Sequence, residues 1–402
     1  MKIGESRLWR FFLESRLFHP WVTWALLAAI IAVLVALSPE AHTVTPNYRD
    51  ACLRWFAGQD IYGEGPHGFL YFPHAAILFA PFAYLPWGDV LWRLVGIGGL
   101  ALAVRRFVLI APPADRPMAF RWMTVAAIPP ALASARNGQM NLILAAAMAF
   151  AVASLAERRW NWAAFWLCLG VAMKPLMAVP IAVAVVCYRP VWKPLALRLL
   201  LVVAAPFATQ APAFVAWQHQ RCLEKLQLAA NPGSDNPASD LFGLMSFAGW
   251  EFSSAVQTAV RAAAAVALLA ACYVAVLHKP RRTASALVLT FLACYLTLFN
   301  PRTENNGYVV LAPALAAWAA WSYRGPRRRV VRWAAVLLAF GIAGSYELTR
   351  GYNFWLNPLL SLTLLTWAAF CVFGRSRRPR MQSERSRLPS PGADTPRSAV
   401  SL

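Results

Sequence analysis

The chain has 402 residues, of which 59% are hydrophobic and 14% are charged, whereas soluble domains carry about 25% charged residues. This composition excludes a soluble globular protein and predicts an all-α polytopic membrane protein. The formal net charge of +21 would suit a nucleic-acid-binding protein, but the basic residues follow a membrane pattern, so nucleic acid is not an expected partner.

Apolar runs recur along the chain, and most approach the roughly 17–25 residues that cross a bilayer. They predict about twelve transmembrane helices, at 21–37, 88–104, 119–134, 139–156, 161–173, 175–188, 194–211, 253–277, 283–299, 307–322, 329–345 and 355–373. With the N-terminus inside, most Lys and Arg residues fall on the inner face, in clusters such as Arg158-Arg159 and Arg281-Arg282. This positive-inside distribution orients the protein and brings basic residues to anionic membrane lipids.

Three regions follow from this topology. Residues 1–20 are predicted to be a cytosolic amphipathic segment, and residues 21–373 a transmembrane domain with an outer loop at 38–87. Residues 374–402 are rich in Arg, Ser and Pro and are predicted to be a disordered basic cytosolic tail.

Prolines interrupt two apolar parts of the chain. The segment 69–87 carries three prolines and is predicted to be a broken helix at the outer interface, within a loop that carries interfacial helices. The spans 161–173 and 175–188 are separated by Lys174-Pro175. Short broken helices at membrane depth are tolerated where they line a cavity in the protein, so we expect Lys174 to lie at such a cavity.

Unusual polar residues gather on the predicted outer side, where nothing in an otherwise apolar chain requires them. Ionisable groups near the centre of a transmembrane helix cost roughly 2.5–3.5 kcal/mol on insertion scales, so these groups indicate a functional site. The first set lies in the outer loop and consists of Asn47, Tyr48, Arg49, Asp50, Asp60, Glu64, His67 and Tyr71. The second set comes from later segments and consists of Arg136, Asn137, Gln139, Asn141, Lys174, Arg302, Glu304 and Asn305.

Motifs for metal or nucleotide binding are missing from the sequence. The chain has no D-x-D, H-x-H or H-E-x-x-H motif and no P-loop. His67 and His74 are therefore interpreted as interfacial residues rather than metal ligands. Neither a metal nor another cofactor is expected.

Several short motifs occur in a fixed order. They are A-G-Q-D-I-Y (57–62), Y-F-P (71–73), A-P-F-A-Y-L-P (80–86), N-G-Q-M-N-L (137–142), M-K-P (173–175) and the polar loop 300–308. In this order and membrane placement the chain resembles the GT-C superfamily of membrane glycosyltransferases, in particular glycosyltransferase family 87, over most of residues 40–310.

The resemblance implies a GT-C-like helical fold and a polyprenyl-phosphate sugar donor. The transferred sugar would be a mannose-like hexose or a pentose, and the acceptor a glycan, a lipid or another hydroxyl compound. The resemblance also implies a multi-pass protein of the bacterial inner membrane with its active site on the periplasmic side.

The sequence departs from the family pattern at the expected catalytic acid. The family carries a D-F/L-x-x-Y type of motif, but the stretch 43–48 contains no Asp, and the nearest acid is Asp50. A general base must take the proton of the acceptor hydroxyl, and a carboxylate suits that role. We therefore expect Asp50 to be the base, with Asp60 and then Glu64 as alternatives. His74 likewise replaces the second proline of the family's Y-P-P motif.

Cations on the outer side are expected to bind the donor phosphate, with Lys174 first and Arg136 and Arg302 as further candidates. Purely structural interpretations are also open, in which Lys174 snorkels to the membrane surface and Arg302 and Glu304 pair only with each other.

Two other function classes stay open at this point. The first is a polytopic transporter or lipid-sugar flippase, for which a broken helix would also be suitable. The second is a non-catalytic envelope assembly protein.

Overall fold

A computed structural model describes residues 19–64, 68–111, 113–230, 239–301, 303–321, 326–349 and 355–373. These ranges are helical and contain no strand, which confirms the all-α prediction. The helices are α1 (Pro20–Leu37), α2 (Thr45–Phe56), α3 (Pro73–Leu78), α4 (Ala80–Ala83), α5 (Gly88–Val108), α6 (Arg116–Asn137), α7 (Asn141–Ala156), α8 (Trp160–Met173), α9 (Ala178–Cys187), α10 (Trp192–Ala204), α11 (Pro212–Ala230), α12 (Leu241–Phe247), α13 (Ser254–His278), α14 (Arg281–Leu298), α15 (Ala312–Trp321), α16 (Pro326–Ala343), α17 (Ser345–Leu348) and α18 (Leu356–Phe373).

Each of the twelve predicted apolar segments falls largely on helix. In the part of the chain that the structure describes, four helical stretches are long and apolar enough to cross a membrane, namely Pro20–Leu37, Arg189–Ala208, Ser254–His278 and Leu356–Phe373. Many of their large apolar side chains are exposed, which suits contact with lipid. The chain is therefore a helical membrane protein, while the number of twelve crossings stays a prediction.

The predicted interruptions are present as breaks between helices. The segment 69–87 contains the two short helices α3 and α4 instead of one continuous span. Lys174 separates α8 from a 3-10 turn at Pro175–Met177, and its backbone is extended, with φ −146° and ψ 128°. Proline disfavours helical backbone in the residue before it, so Pro175 is the reason that α8 ends at this point.

Helix α11 is not predicted by the sequence analysis, which assigns no element to residues 212–230. Polar side chains at helical spacing run along this helix and bind the outer loop. Gln218 donates to the carbonyl of Gln59 over 3.4 Å, and Lys225 donates to the carbonyl of Gly63 over 3.2 Å. These polar side chains of α11 hold residues 59–63 of the outer loop in place.

Three helices, α7, α14 and α15, are buried along most of their length and form the centre of the bundle. Helix α7 is rich in alanine, and small side chains let neighbouring helices approach closely. At Gly96 of α5 a Cβ atom would lie 2.9 Å from Cδ2 of Leu142, so the leucine side chain packs directly against the glycine. The close packing fixes the N-terminal end of α7, which begins at the polar residue Asn141.

The two terminal regions lie outside this description. Residues 1–18 cover nearly all of the predicted cytosolic amphipathic segment, and residues 374–402 are the predicted tail. Both assignments stay predictions.

Candidate active site

One cavity brings together residues from distant parts of the sequence. Its volume is about 130 Å³, and we refer to it as the Lys174 cavity. It lies where the start of α7, the break before Pro175, the end of α14 and the loop 300–307 meet. The lining residues are Leu70, Tyr71, Gln139, Asn141, Lys174, Leu176, Leu226, Ala229, Leu296, Asn300, Pro301, Thr303, Glu304, Gly307 and Val310.

A continuous chain of hydrogen bonds crosses this cavity. Nζ of Lys174 donates to Oδ1 of Asn141 over 3.0 Å, and Nδ2 of Asn141 donates to Oε1 of Gln139 over 2.7 Å. Nε2 of Gln139 donates to Oε2 of Glu304 over 3.2 Å. The two amides are buried and Glu304 is exposed. A cation and a carboxylate therefore lie at the two ends of one polar chain, with the carboxylate accessible from outside.

A glycine in the motif N-G-Q-M-N makes this arrangement possible. Helix α6 ends at Gly138, whose φ is +65°, a conformation that side-chain-bearing residues rarely adopt. A Cβ atom there would also lie 2.7 Å from Cγ2 of Thr45 and 3.0 Å from Cζ of Arg93. The sharp turn directs Gln139 into the cavity and begins α7 at Asn141.

Arg93 holds the end of α6 in place and is nearly fully buried. Its guanidinium donates to the carbonyl of Asp89 over 2.8 Å, to the carbonyl of Arg136 over 3.1 Å and to the hydroxyl of Thr43 over 2.7 Å. The planar fork of arginine can serve several acceptors at once, which the point charge of lysine cannot. The sequence analysis did not single out Arg93, although an arginine inside the apolar run 88–104 is an unusual feature.

Two tyrosines form the wall beside Lys174. The Nζ atom of Lys174 lies 5.8 Å from the centroid of the Tyr71 ring, a cation–π contact. The hydroxyls of Tyr71 and Tyr48 are 3.1 Å apart, and the backbone N–H of Met140 donates to the Tyr48 hydroxyl over 3.3 Å. Burial raises the pKa of Tyr48 to about 12 and raises the pKa of Tyr71 well above its usual value. Both hydroxyls are therefore protonated at neutral pH and can donate hydrogen bonds.

The expected base, Asp50, does not line the Lys174 cavity. Its carboxylate is paired with Arg54 over 2.8 Å on the exposed side of α2. Tyr48 lies two positions earlier on the same helix, which is a rotation of about 200°, so the two side chains point in nearly opposite directions. Because Tyr48 faces the protein interior, Asp50 faces away from it.

The two alternative acids also lie outside the cavity. Oδ1 of Asp60 accepts the backbone N–H of Tyr62 over 3.0 Å, and Oδ2 is paired with Arg221 of α11 over 3.1 Å. Glu64 is exposed, and its backbone carbonyl accepts a hydrogen bond from Lys225 over 3.2 Å. Asp60 therefore braces the outer loop against α11. Among the described residues, Glu304 is the carboxylate that lines the cavity.

The predicted substrate-binding residues divide into two sets. Tyr71, Gln139, Asn141, Lys174 and Glu304 line the cavity, and Tyr48 supports it from behind. The others that the structure describes lie away from it. Asn47 is exposed, and Arg49 pairs with Asp89 over 3.6 Å. The backbone carbonyls of Arg136 and Asn137 accept hydrogen bonds. The side chain of Asn305 accepts hydrogen bonds from Ser239 and Asn357 over 3.1 and 3.2 Å. His67 and Arg302 lie outside the described residues.

Several lining residues were not assigned to the site from the sequence. Asn300 and Thr303 come from the polar loop at 300–308, whose composition already indicated a site there. Leu226 and Ala229 come from α11, and nothing in the sequence connects that helix to the cavity. Within the described ranges, no group of three His, Cys, Asp or Glu side chains could hold a metal ion.

The fold and the cavity together describe a helical membrane protein with a polar site near the ends of several helices. The sequence profile of glycosyltransferase family 87 matches residues 69–301, which is more than half of the chain. The chain belongs to glycosyltransferase family 87, as its motifs predicted, and its family indicates that it is a glycosyltransferase. The match contains most of the residues that line the cavity and ends three positions before Glu304. No curated protein matches the chain significantly.

Proposed function

We propose that the chain transfers a sugar from a polyprenyl-phosphate donor to a hydroxyl acceptor, and that the reaction takes place in the Lys174 cavity. The observation that carries this proposal is the hydrogen-bonded chain from Lys174 through Asn141 and Gln139 to Glu304. It supplies a cation for a phosphate and a carboxylate for a proton within one site. The sugar is a mannose-like hexose or a pentose, and the acceptor is a glycan, a lipid or another hydroxyl compound.

Lys174 is suited to the donor phosphate. Its ammonium group is half-buried between the Tyr71 ring and Asn141, where its attraction for an anion is stronger than in water. The apolar part of the wall, formed by Leu70, Leu176 and neighbouring side chains, suits the first isoprene units of the lipid. The polar and apolar parts of the cavity thus match the two parts of a polyprenyl phosphate.

Glu304 is the proposed general base, in place of Asp50. Its carboxylate takes the proton of the acceptor hydroxyl as that oxygen attacks the anomeric carbon of the sugar. The new glycosidic C–O bond forms while the bond from the anomeric carbon to the phosphate oxygen breaks. Polyprenyl phosphate leaves as an anion beside Lys174, which compensates the negative charge that develops there.

The charge distribution of the sequence supports a reaction on the outer side of the membrane. With the N-terminus inside, the loops that carry Tyr71, Gln139 and Glu304 are on the outer face. In a bacterial cell this is the periplasmic face of the inner membrane. The acceptor would reach the exposed Glu304 from the periplasm, and the lipid donor would arrive from the bilayer.

The reaction class can be tested by analysis of lipid-linked sugars in a deletion strain. We expect the strain to accumulate a polyprenyl-phosphate sugar, or to make a truncated glycan, and we expect a plasmid copy of the wild-type chain to reverse this. A copy with Lys174→Ala and Glu304→Gln should insert into the membrane and leave the accumulation unchanged. An unaltered set of lipid-linked sugars and glycans in the deletion strain would contradict the proposal.

A further inference from the structure

A second cavity, of about 590 Å³, lies among the basic residues of the predicted inner face, and we refer to it as the basic cavity. It is formed by the end of α7, the start of α8, the end of α9 and the connection between α13 and α14. Among the described residues, four cationic side chains line it, those of Arg158, Arg189, Lys279 and Arg281. Most of the other lining side chains are apolar or aromatic.

The basic cavity and the Lys174 cavity lie at opposite ends of the same helices. Helix α7 begins with Asn141 in the Lys174 cavity and ends with Ala156 in the basic cavity. The fifteen steps from one residue to the next along this helix, at about 1.5 Å each, correspond to roughly 22 Å. Helix α14 runs the other way, with Arg281 at the basic cavity and Leu296 at the Lys174 cavity. The second cavity is therefore separate from the proposed active site.

The cations of the basic cavity have no carboxylate partner among the described residues. The nearest acid in sequence is Glu157, and its carboxylate is already paired with Arg106 and Arg159. Among the residues that the structure describes, no acidic side chain lines the cavity. Four positive charges that face one space without a counter-ion favour an anion there.

Arg158 occupies a position where glycine is usually favoured. It follows the end of α7 with φ +60°, and its N–H bonds to the carbonyl of Leu155 over 3.1 Å. The next N–H, of Arg159, bonds to the carbonyl of Ser154 over 2.9 Å, which completes a Schellman motif. A left-handed backbone is costly for arginine. The cationic side chain is therefore present at a position where the backbone conformation favours glycine.

Apolar and aromatic groups lie directly beside these cations. Leu155, Val276 and Ala284 line the cavity, as do Trp160 and Tyr188, whose ring centroids are 6.2 Å apart. A soluble anion would gain nothing from this apolar wall. A lipid would place its phosphate on the cations and its glycerol and first methylene groups on the apolar side chains.

We propose that the basic cavity binds the phosphate headgroup of an anionic lipid. Basic pockets between membrane helices on the cytosolic side are suited to such headgroups. The proposal is independent of the reaction in the Lys174 cavity, because it concerns the other end of the bundle and its test does not measure sugar transfer.

The test compares lipid retention by purified variants. The cavity variant is Arg189→Gln/Lys279→Gln, and the control is Arg121→Gln/Lys193→Gln, which removes the same charge from the same predicted face at residues that do not line the cavity. Each protein is exchanged into detergent with phosphatidylglycerol or phosphatidylcholine, and bound lipid is counted by native mass spectrometry. We expect the wild type and the control to retain phosphatidylglycerol in preference to phosphatidylcholine, and the cavity variant to bind it at least about tenfold more weakly.

A second measurement on the wild type does not depend on the folding of any variant. Photoreactive phosphatidylglycerol should label peptides that contain Leu155–Trp160 or Val276–Ser285, and photoreactive phosphatidylcholine should not. Equal loss of lipid in both double variants, or labelling spread evenly over the membrane surface, would overturn the proposal. Displacement of the lipid by millimolar inorganic phosphate, with phosphate itself bound as tightly, would show that the ligand is a soluble anion and would also overturn it.

Discussion

The side chain of Gln139 donates to the carboxylate of Glu304 over 3.2 Å, although the two residues are 165 positions apart. The same amide accepts a hydrogen bond from Asn141 over 2.7 Å, so its orientation is fixed from both sides. Gln139 thus connects the carboxylate to the part of the site that contains Lys174.

Replacement of Gln139 should weaken catalysis more than donor binding. Gln139→Ala leaves the Glu304 carboxylate without its donor, and a hydrogen bond to a charged group contributes about 1.5–3 kcal/mol, so we expect kcat to fall roughly tenfold or more. Steady-state kinetics with the donor that accumulates in the deletion strain checks this. Gln220→Ala, at an exposed glutamine that bonds to Glu224 on α11, is the matched control and should change neither parameter. A large rise in donor KM with unchanged kcat would instead make Gln139 a donor-binding residue.

Replacement of Lys174 should weaken donor binding. Lys174→Ala removes the cation proposed to face the donor phosphate. Because a hydrogen bond to a charged group contributes about 1.5–3 kcal/mol, we expect donor KM to rise by roughly 10–100-fold. The acceptor KM should stay close to that of the wild type. Membrane insertion and thermal stability in detergent serve as controls. If Lys174→Ala has wild-type kinetics for the donor, the lysine is only a residue that snorkels to the surface.

Gly138→Ala should destabilise the protein. The substitution combines a φ of +65° with a Cβ placed 2.7 Å from Thr45, and strain of this kind costs about 1–3 kcal/mol. We expect a lower Tm in detergent. Gly98→Ala on α5 is the matched control, because nothing lies within 4 Å of a Cβ there and alanine favours helix. Equal Tm values for the two variants would show that the turn after α6 is not constrained in this way.

Reporter fusions test the predicted topology. A phosphatase that is active only outside the cytosol should be active when fused near Gly63 in the outer loop, and inactive when fused near Arg159, because basic clusters stay inside. Activity is measured in intact cells against equal amounts of fusion protein. The reverse pattern would place Lys174 and Glu304 on the cytosolic side and remove the basis for a periplasmic reaction.

The sequence predicts the features that depend on nearby residues. Proline positions predict the break at Lys174 and the division of the segment 69–87 into short helices, since proline acts on its own and the preceding residue. The outer loop is predicted to carry interfacial helices, and α2 is a helix within that loop. The motif N-G-Q-M-N supplies candidate site residues, of which Gln139 and Asn141 line the cavity.

Features that depend on distant partners could not be predicted in this way. Asp60 is paired with Arg221, which is 161 positions away on α11, a helix that is not predicted from the sequence. Arg93 donates to Thr43, which lies 50 positions before it in the sequence, and to Arg136, which lies 43 positions after it. Only the folded bundle brings these acceptors together. Closeness in sequence to the family motif favours Asp50 as the base, but Asp50 shares a helix with Tyr48 and its side chain points in nearly the opposite direction.

The central claim is that Glu304 takes the proton of the acceptor. The most direct test measures initial rates of sugar transfer in membranes that contain equal amounts of Glu304→Gln or Asp50→Asn protein, with the donor from the deletion strain. We expect Glu304→Gln to lower the rate by roughly 10²–10⁴, as for loss of a general base. We expect Asp50→Asn to change it by less than about fivefold, as for loss of an exposed ion pair. An inactive Asp50→Asn together with a fully active Glu304→Gln would contradict the account and return the role of the base to Asp50.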